Sequence, residues 1–215
     1  MRGFFVTFEG IEGSGKSTLI HNVANALRPS GLDPIVTREP GGTSLGVALR
    51  KVLLSPDMGV IGPIAELMMF AADRAQHVSE VILPALAKGK IVLCDRYSDA
   101  TVAYQGYGRG IPFDVINVVD MKARDSAVPD LTVLLDLPVE KGLSRVRKRN
   151  DLSKDISESR IDEEETAFHQ RVRDGYLAIA RLEPARFLVL DAMDNPEHLT
   201  HLVMDEFRSR YPDEL

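Results

Sequence analysis

The chain has 215 residues, which is enough for one α/β domain of ordinary size and too short for two domains with separate cores. Hydrophobic residues make up 44% and charged residues 27%, so disorder, collagen and a coiled coil are excluded as the main organisation. The formal net charge of −6 would repel a phosphate backbone or an anionic membrane, so we expect no general nucleic-acid or membrane partner.

Short apolar runs alternate with longer segments of helical period, which is typical of βαβ units around a mainly parallel sheet. Each predicted strand is apolar on both faces, as a strand covered by helices on both sides must be. In chain order the prediction is strand 4–8, helix 16–27, strand 34–37, helix 45–54, helix 64–87 (one helix or two, because of Pro84), strand 91–94, helix 98–104, helix 113–123, strand 132–135, helix 139–149, helix 161–182, strand 187–190 and helix 196–210. The pattern predicts a three-layer α/β fold with a five-stranded parallel sheet.

Cysteine content and hydropathy indicate the cellular compartment in which the protein is expected. The single cysteine, Cys94, excludes an intramolecular disulfide framework and favours a reducing environment. No stretch approaches the roughly 18 consecutive apolar residues of a membrane span. We therefore expect a soluble cytosolic protein, folded as one domain over residues 1–215.

The strongest motif is a glycine-rich loop between the first strand and the first helix, in the pattern GxxxxGK(S/T). Glycines at these positions let backbone N–H groups point inward, and the helix N-terminus adds partial positive charge. Lys16 can then bridge the β- and γ-phosphates, while the Ser17 hydroxyl is the expected Mg²⁺ contact. The predicted ATP-binding residues are Gly10, Ile11, Glu12, Gly13, Ser14, Gly15, Lys16, Ser17 and Thr18.

A P-loop alone does not distinguish a GTPase, a motor ATPase and a small-molecule kinase. The chain has no Asn/Thr-Lys-x-Asp motif after its fourth strand, which argues against a switch GTPase. Its third strand ends in Asp95-Arg96 rather than in the paired acids of an AAA-type ATPase. Asp95 is the predicted partner of hydrated Mg²⁺, and Arg96 can clamp a second phosphate in a bidentate geometry.

Five motifs together resemble those of the thymidylate kinases, in particular the bacterial type, over nearly the whole chain. They are the P-loop as Phe8-Glu9-Gly10-Ile11-Glu12-Gly13-Ser14-Gly15-Lys16-Ser17, the run Thr37-Arg38-Glu39-Pro40-Gly41-Gly42-Thr43, Phe70-Ala71-Ala72-Asp73-Arg74, Asp95-Arg96-Tyr97, and Ala103-Tyr104-Gln105-Gly106-Tyr107-Gly108-Arg109-Gly110. The resemblance implies a P-loop kinase fold with a mobile lid, ATP and dTMP as substrates, Mg²⁺ as cofactor, and a homodimer for which the apolar face of residues 64–70 could serve.

Phe70 and Arg74 are four residues apart and so share one helix face. An aromatic plane beside a planar fork of donors suits a flat heterocycle, although this spacing also occurs for a core residue and its snorkelling neighbour. The resemblance favours the first interpretation, with thymine stacked on Phe70 and a base carbonyl bound by Arg74.

The remaining acceptor residues follow from the same resemblance. Arg38 joins Arg96 at the acceptor phosphate, Arg50 lies near the base, and Glu12 lies near the deoxyribose 3′-hydroxyl. A helix segment supplies the others: Thr101 and Gln105 could reach polar atoms of the base, and Tyr104 could pack where a 2′-hydroxyl would project. The alternative for that segment is a polar, solvated helix face.

A basic run at positions 145–149 precedes a polar stretch, 150–159, and Arg160 follows it. The stretch is either the solvated end of a helix or, by resemblance, a lid over ATP that spans about residues 145–160. Because positions 11–14 of the P-loop include no cation, we expect an arginine from elsewhere to stabilise the transition state. Arg160 is the predicted donor and Arg149 is the reserve.

These patterns predict a kinase that phosphorylates dTMP to dTDP with MgATP, through the catalytic residues Lys16, Asp95, Arg96 and Arg160. Two alternatives remain at this point. One is a kinase for another deoxynucleotide or deoxynucleoside, and the other is a nucleotide-binding regulator without turnover.

Overall fold

A parallel β-sheet forms the centre of the computed structural model, which describes residues 3–153 and 159–211. The order across the sheet is β2-β3-β1-β4-β5, and every neighbouring pair is parallel. The strands are β1 (Phe5–Glu9), β2 (Ile35–Arg38), β3 (Val92–Asp95), β4 (Leu131–Asp136) and β5 (Phe187–Asp191). The predicted α/β fold is confirmed, and every strand boundary lies within about one residue of its prediction.

Helices connect the strands and flank the sheet. Among the described residues they are α1 (Lys16–Leu27), α2 (Ser44–Leu54), α3 (Pro63–His77), α4 (Leu83–Ala87), α5 (Ser98–Thr101), α6 (Phe113–Arg124), α7 (Val139–Ser153), α8 (Ser159–Asp162), α9 (Thr166–Leu182) and α10 (Pro196–Arg210). Short 3₁₀ turns cover Arg28–Ser30 and Pro56–Met58. None of these helices has the length and apolar content that crossing a membrane requires.

Several predicted helices differ from the structure. The helix predicted over 98–104 is α-helical only over α5 and continues as a π-helix, Val102–Gly108. The segment predicted as helix 64–87 runs from α3 into α4 through a π-helical turn, Val78–Ile82, so Pro84 falls in the first turn of α4, where a missing N–H is tolerated. The single helix predicted over 161–182 is wrong. The chain forms α8 and α9 with a break at residues 163–165. Asp162, the last residue of α8, pairs with Arg149, and Glu164 in the break pairs with Arg109.

The prediction of a loop over the polar stretch 150–159 is also wrong in part. Helix α7 continues to Ser153, four residues beyond its predicted end, so the beginning of the stretch is helical. Residues 154–158 lie outside the described part of the chain.

Side chains alternate across the strands and pack into separate clusters on the two faces of the sheet. Val6 and Phe8 of β1 pack in the larger cluster with residues of α1, α9 and α10, whereas Phe5 packs with Val92 and Tyr97. Each fully buried aliphatic or aromatic side chain contributes about 1.5–3 kcal/mol. The two cores hold β1 and β3 in a fixed register, Phe8 beside Asp95, and so fix the edge of the sheet where the motifs converge.

Candidate active site

A cavity of about 470 Å³ lies at the carboxyl ends of β1, β2 and β3. It brings together most of the residues that the sequence predicted. The predicted residues that line it are Glu12, Gly13, Ser14, Gly15, Lys16, Ser17, Thr18, Arg38, Arg50, Phe70, Arg74, Asp95, Arg96, Thr101, Tyr104 and Gln105. Gly10, Ile11 and Arg160 are not among its lining residues.

The P-loop connects β1 to α1 through a turn that two glycines make possible. Gly10 has φ 138° and Gly13 has φ 71°, both in the left-handed region. A Cβ atom on Gly10 would lie 2.5 Å from the carbonyl oxygen of Leu135, and one on Gly13 would lie 2.5 Å from that of Gly142. Backbone of β4 and α7 therefore closes around the loop and holds its shape.

The Lys16 ammonium is folded back into the P-loop. Nζ donates to the carbonyl oxygens of Gly10 at 2.9 Å and Ile11 at 3.0 Å. Burial, together with the nearby Arg96 guanidinium, lowers the pKa of Lys16 to about 8. An anion bound in the loop would offset both effects, so the site is built to hold negative charge.

Ser17 and Asp95 bring two side-chain oxygen atoms together at the mouth of the P-loop. The Ser17 hydroxyl donates to Asp95 Oδ2 at 2.9 Å, although the two residues are 78 positions apart. Mg²⁺ binds hard oxygen ligands and keeps several waters, so it commonly uses one or two protein groups plus substrate phosphates. This hydroxyl and carboxylate at the mouth of the P-loop fit that ion.

Arg96 adopts a left-handed backbone conformation, φ 66°, which costs a non-glycine residue roughly 1–2 kcal/mol. Its guanidinium donates from Nη2 to Glu12 Oε1 at 2.9 Å and from Nη1 to the Tyr104 hydroxyl at 2.8 Å. It also lies over the Tyr104 ring, 4.9 Å from the centroid. The strain and these contacts hold the guanidinium at the cavity wall beside Asp95.

The Glu12 carboxylate points away from the phosphate-binding side of its loop, as its charge requires. Tyr104 donates its hydroxyl to Glu12 Oε1 at 2.5 Å, and His169 Nδ1 lies 3.3 Å from Oε2. Burial alone would raise the pKa of Glu12, but Arg96 and these neighbours hold it well below its ordinary value. Glu12 is therefore an ionised acceptor that lines the cavity beside Arg96 and Tyr104.

Phe70 and Arg74 line the cavity from the same face of α3, as predicted. Arg74 is 2% exposed, and four of its five N–H groups donate within the described residues. The acceptors are Glu39 Oε2 at 2.9 Å, Thr101 Oγ1 at 2.8 Å, Asp120 Oδ1 at 2.9 Å and the carbonyl oxygen of Tyr97 at 2.9 Å. Arg74 thus joins four segments of the wall around the cavity, and one Nη2 hydrogen remains for a ligand.

The other two predicted arginines of the acceptor side lie near the turn after β2. Arg38, the last residue of β2, is exposed and is in register with Asp95 of β3. Arg50 of α2 donates from Nη1 to the carbonyl oxygen of Pro40 at 2.9 Å. Both guanidinium groups therefore stand at the cavity rim beside the Glu39-Pro40 turn.

The basic residues of α7 and the arginine of α8 face different surroundings. Arg145 and Arg149 line the cavity, and Arg145 Nη1 donates to the carbonyl oxygen of Gly13 at 3.2 Å. Arg160 instead donates from Nη2 to Glu66 Oε2 at 2.5 Å and from Nε to the carbonyl oxygen of Leu53 at 2.6 Å. The reserve donor, Arg149, is therefore at the cavity in this arrangement, and Arg160 is paired outside it.

Comparison with known proteins decides the family, because a family model described as thymidylate kinase matches residues 8–203. The chain belongs to the thymidylate kinase family. The thymidylate kinase of Trichlorobacter lovleyi is 52% identical over 206 residues, 96% of this chain and 97% of the relative. That of Desulfovibrio desulfuricans is 53% identical over 194 residues, 90% and 89% of the two chains.

A solved structure agrees with this family. The crystal structure of thymidylate kinase from Ehrlichia chaffeensis superposes with a TM-score of 0.77 at 32% identity, over 97% of this chain and 100% of that one. The predicted family, the predicted P-loop kinase fold and the predicted enzyme class are confirmed.

Sequence reasoning missed three buried residues at this thymidylate kinase site. Glu9, wholly buried at the end of β1, accepts from the Tyr97 N–H at 2.7 Å and from the Tyr176 hydroxyl at 2.8 Å. Glu66 of α3 contacts Gln105. Glu9 carried the signal that selected Asp95, an acid at the carboxyl end of a central strand, whereas Tyr176 and Glu66 lie in helices with no local signal.

Proposed function

We propose that this chain transfers the γ-phosphoryl group of ATP to dTMP, which yields ADP and the dTDP needed for dTTP synthesis. One observation carries the proposal. A single cavity joins a P-loop lysine and a strand-end carboxylate to an aromatic ring and an amide suited to a pyrimidine, namely Lys16, Asp95, Phe70 and Gln105.

The donor half of the cavity holds the triphosphate. With ATP bound, the Lys16 ammonium exchanges its two carbonyl acceptors for the β- and γ-phosphates, and the backbone N–H groups at the start of α1 donate to the same oxygens. Ser17 and Asp95 hold Mg²⁺ with its waters, and the ion neutralises charge on the phosphates when it is bound. Lys16 thus remains charged at the place where negative charge develops.

The acceptor phosphate lies between Arg96 and Arg38. Arg96 is held in place by Glu12 and Tyr104, so it presents its fork with little loss of side-chain entropy. Arg38 approaches from the end of the neighbouring strand. Because a phosphate oxygen is already anionic, in-line attack needs no general base, and catalysis consists of positioning and charge stabilisation.

The acceptor base stacks on Phe70 beside three polar groups. Arg74 offers its remaining Nη2 hydrogen to a carbonyl oxygen of the base, and Gln105 and Thr101 face the base from the helix after β3. Arg50 closes the rim above them. A planar ring with carbonyl oxygens, as in thymine, fits this arrangement.

The sugar lies against Glu12 and Tyr104. Glu12 is ionised and accepts from the deoxyribose 3′-hydroxyl, and the Tyr104 ring, 6% exposed, occupies the space of a 2′-hydroxyl. Crowding of this kind lowers kcat/KM for a substrate with an added hydroxyl by on the order of 10²-fold. We therefore expect a preference for deoxyribonucleotides over ribonucleotides.

A lid over about residues 145–160 completes the site in this proposal. Arg160 supplies transition-state charge after it leaves Glu66, or Arg149 supplies it from the end of α7. Closure of the lid would exclude water from the site. An arginine of the lid also contributes to catalysis only if closure brings its guanidinium group to the γ-phosphoryl group.

The chain also exposes an apolar surface suited to a homodimer. Helix α3 packs against α6, and the two present Ile64 at 51%, Met68 at 50%, Val118 at 65% and Met121 at 62% exposure. Such a patch on a P-loop kinase favours a second copy of the chain. Sedimentation equilibrium should give twice the 23.7 kDa chain mass, and Met68→Glu should shift it toward the monomer.

A cytosolic location is the remaining part of this proposal. It rests on Cys94, a free buried thiol that suits a reducing compartment.

Coupled measurement of ADP release with a panel of nucleoside monophosphates tests the function. Turnover selective for dTMP supports the proposal. Selective turnover of another deoxynucleotide or of a deoxynucleoside would show that dTMP is not the acceptor. Tight ATP binding without turnover of any acceptor would indicate a nucleotide-binding regulator.

A further inference from the structure

A buried carboxylate lies directly behind the base side of the cavity. Glu66 of α3 is 1% exposed, and Oε1 accepts from Gln105 Nε2 at 2.9 Å and from Arg109 Nε at 3.1 Å. Oε2 accepts from Arg109 Nη2 at 3.3 Å and from Arg160 Nη2 at 2.5 Å. Two guanidinium groups and one amide therefore share a single carboxylate.

The charge state of Glu66 follows from these contacts. Burial alone would raise its pKa, but the hydrogen bonds from Arg109, Arg160 and Gln105 lower it below the ordinary value. Glu66 is therefore ionised at neutral pH. An ionised carboxylate has no hydrogen to donate and can only accept.

This restricts the orientation of the Gln105 amide. An amide has a donor end, Nε2, and an acceptor end, Oε1, on opposite sides of the same planar group. Because Glu66 can only accept, Nε2 must face it. The Gln105 side chain also lines the cavity, so its carbonyl oxygen is the atom left to meet a ligand.

We propose that Glu66 is a positioning residue that fixes the Gln105 amide with its oxygen toward the acceptor base, and that it thereby selects pyrimidines carrying N–H at ring position 3. The inference rests on the proposed function, in which that base lies on Phe70 beside Gln105. Thymine and uracil carry this N–H, so they donate to Oε1.

Cytosine meets the same oxygen with a lone pair. Its ring nitrogen at position 3 is an acceptor, so two acceptors would face each other in a buried site. A buried polar group without a partner loses more free energy than a typical hydrogen bond contributes. The Gln105 oxygen therefore attracts thymine and also repels cytosine. Glu66 supplies this selectivity from behind Gln105, without touching the base.

Glu66→Gln is the direct test, with kcat/KM measured for dTMP and dCMP. The new side chain has both a donor and an acceptor end, so the Gln105 amide is free to turn. We expect kcat/KM for dTMP to fall by about 10-fold and the preference for dTMP over dCMP to fall by about the same factor, with KM for ATP unchanged. Equal losses for both acceptors would show that Glu66 is only structural and would overturn the proposal.

A charge exchange distinguishes positioning from folding. In the double variant Glu66→Gln/Gln105→Glu, one carboxylate remains for Arg109 and Arg160. The amide introduced by the first substitution donates to the carboxylate introduced by the second, whose other oxygen faces the base. The double variant should regain most of the preference for dTMP over dCMP, even if Glu66→Gln alone is too unstable to assay. A preference as low as that of the single variant, or lower than about one-tenth of the parent's, would refute the proposal.

The control is Glu164→Gln. It removes the other ion pair of Arg109, at 2.6 Å, and leaves Glu66 unchanged, so the parental preference should persist. The unaltered chain separates the two proposals: if it fails to use dTMP, both fall. If it uses dTMP selectively and the Glu66 variants retain the parental ratio, only the role of Glu66 falls.

Discussion

The phosphate side and the base side of the cavity are built in different ways. Lys16 finds its carbonyl acceptors five and six residues away, within one loop. Arg74, on the base side, donates to Glu39 and Asp120, which are 35 and 46 residues away. The contacts of Lys16 lie within one loop and can be interpreted from its motif, whereas the role of Arg74 depends on partners that its motif does not contain.

Lys16→Ala should have the largest effect, because it removes the charge that the P-loop is shaped to deliver. We expect kcat/KM for phosphoryl transfer to fall by about 10³-fold or more, while dTMP binding and the thermal midpoint stay close to the parent's. Coupled ADP release, calorimetry with dTMP and circular dichroism measure the three quantities. The control is Lys51→Ala, an exposed lysine on α2. Near-parental turnover in a folded Lys16→Ala protein would contradict the P-loop assignment.

The second prediction concerns Arg160, the arginine proposed to reach the phosphates from outside the P-loop. Arg160→Ala should lower kcat by at least about 10²-fold with little change in dTMP affinity, because the group acts mainly in the transition state. Arg160→Lys should restore part of the rate, as a point charge without the planar fork.

Single-turnover transfer in Arg160→Ala and Arg149→Ala identifies the donor. Arg160 must first leave Glu66, whereas Arg149 already lines the cavity. Parental transfer in Arg160→Ala together with a large loss in Arg149→Ala would assign the role to Arg149.

The same contrast explains how much the sequence could predict. Strand β3 was placed within one residue, and Ser17 and Asp95, both expected at the carboxyl edge of the sheet, lie within hydrogen-bond distance there. Parallel strands bring their carboxyl ends to one edge whatever the loops do. The break between α8 and α9 was missed. Glu164 in that break pairs with Arg109, which is 55 residues away, and helical periodicity does not reveal such a partner.

Buried polar partners were beyond sequence reasoning for the same reason. Arg74 was predicted as a donor to the base, and most of its donors instead hold the wall together. Tyr176 reaches Glu9 across 167 residues, and no local pattern marks Tyr176 as the partner of that strand-end acid. Helical periodicity shows which face is apolar, but it does not show which polar side chain another element will meet.

Phe70→Ala should affect the base side alone. Stacking of a base on an aromatic ring is worth roughly 1–3 kcal/mol, so dTMP affinity should fall by that amount while ATP affinity is unchanged. Titration calorimetry with each ligand separately gives both values, and ATP is the internal control. Equal losses for the two ligands would mean that Phe70 only supports the core against which it packs.

The smallest effect we expect is a pH dependence at Glu9, the buried last residue of β1. Burial, reinforced by the charge of Asp99, raises the pKa of Glu9 from 4.5 to about 7. Between these values the folded chain keeps a proton that the unfolded chain releases, so the contribution of Glu9 to stability declines as pH rises through this window. Below it both states are protonated, and above it the loss is complete.

Glu9→Gln isolates this contribution, because an amide does not titrate and its oxygen can still accept from the Tyr97 N–H. The free energy of unfolding of the variant, relative to the parent, should therefore increase with pH by on the order of 1 kcal/mol per unit between about pH 5 and 7, and then level off. Urea denaturation at several pH values measures the difference. A difference that stays constant across this range would mean that Glu9 is ionised throughout in the folded chain. Arg96 and the hydrogen bonds from Tyr97 and Tyr176 would then outweigh the burial of the carboxyl group.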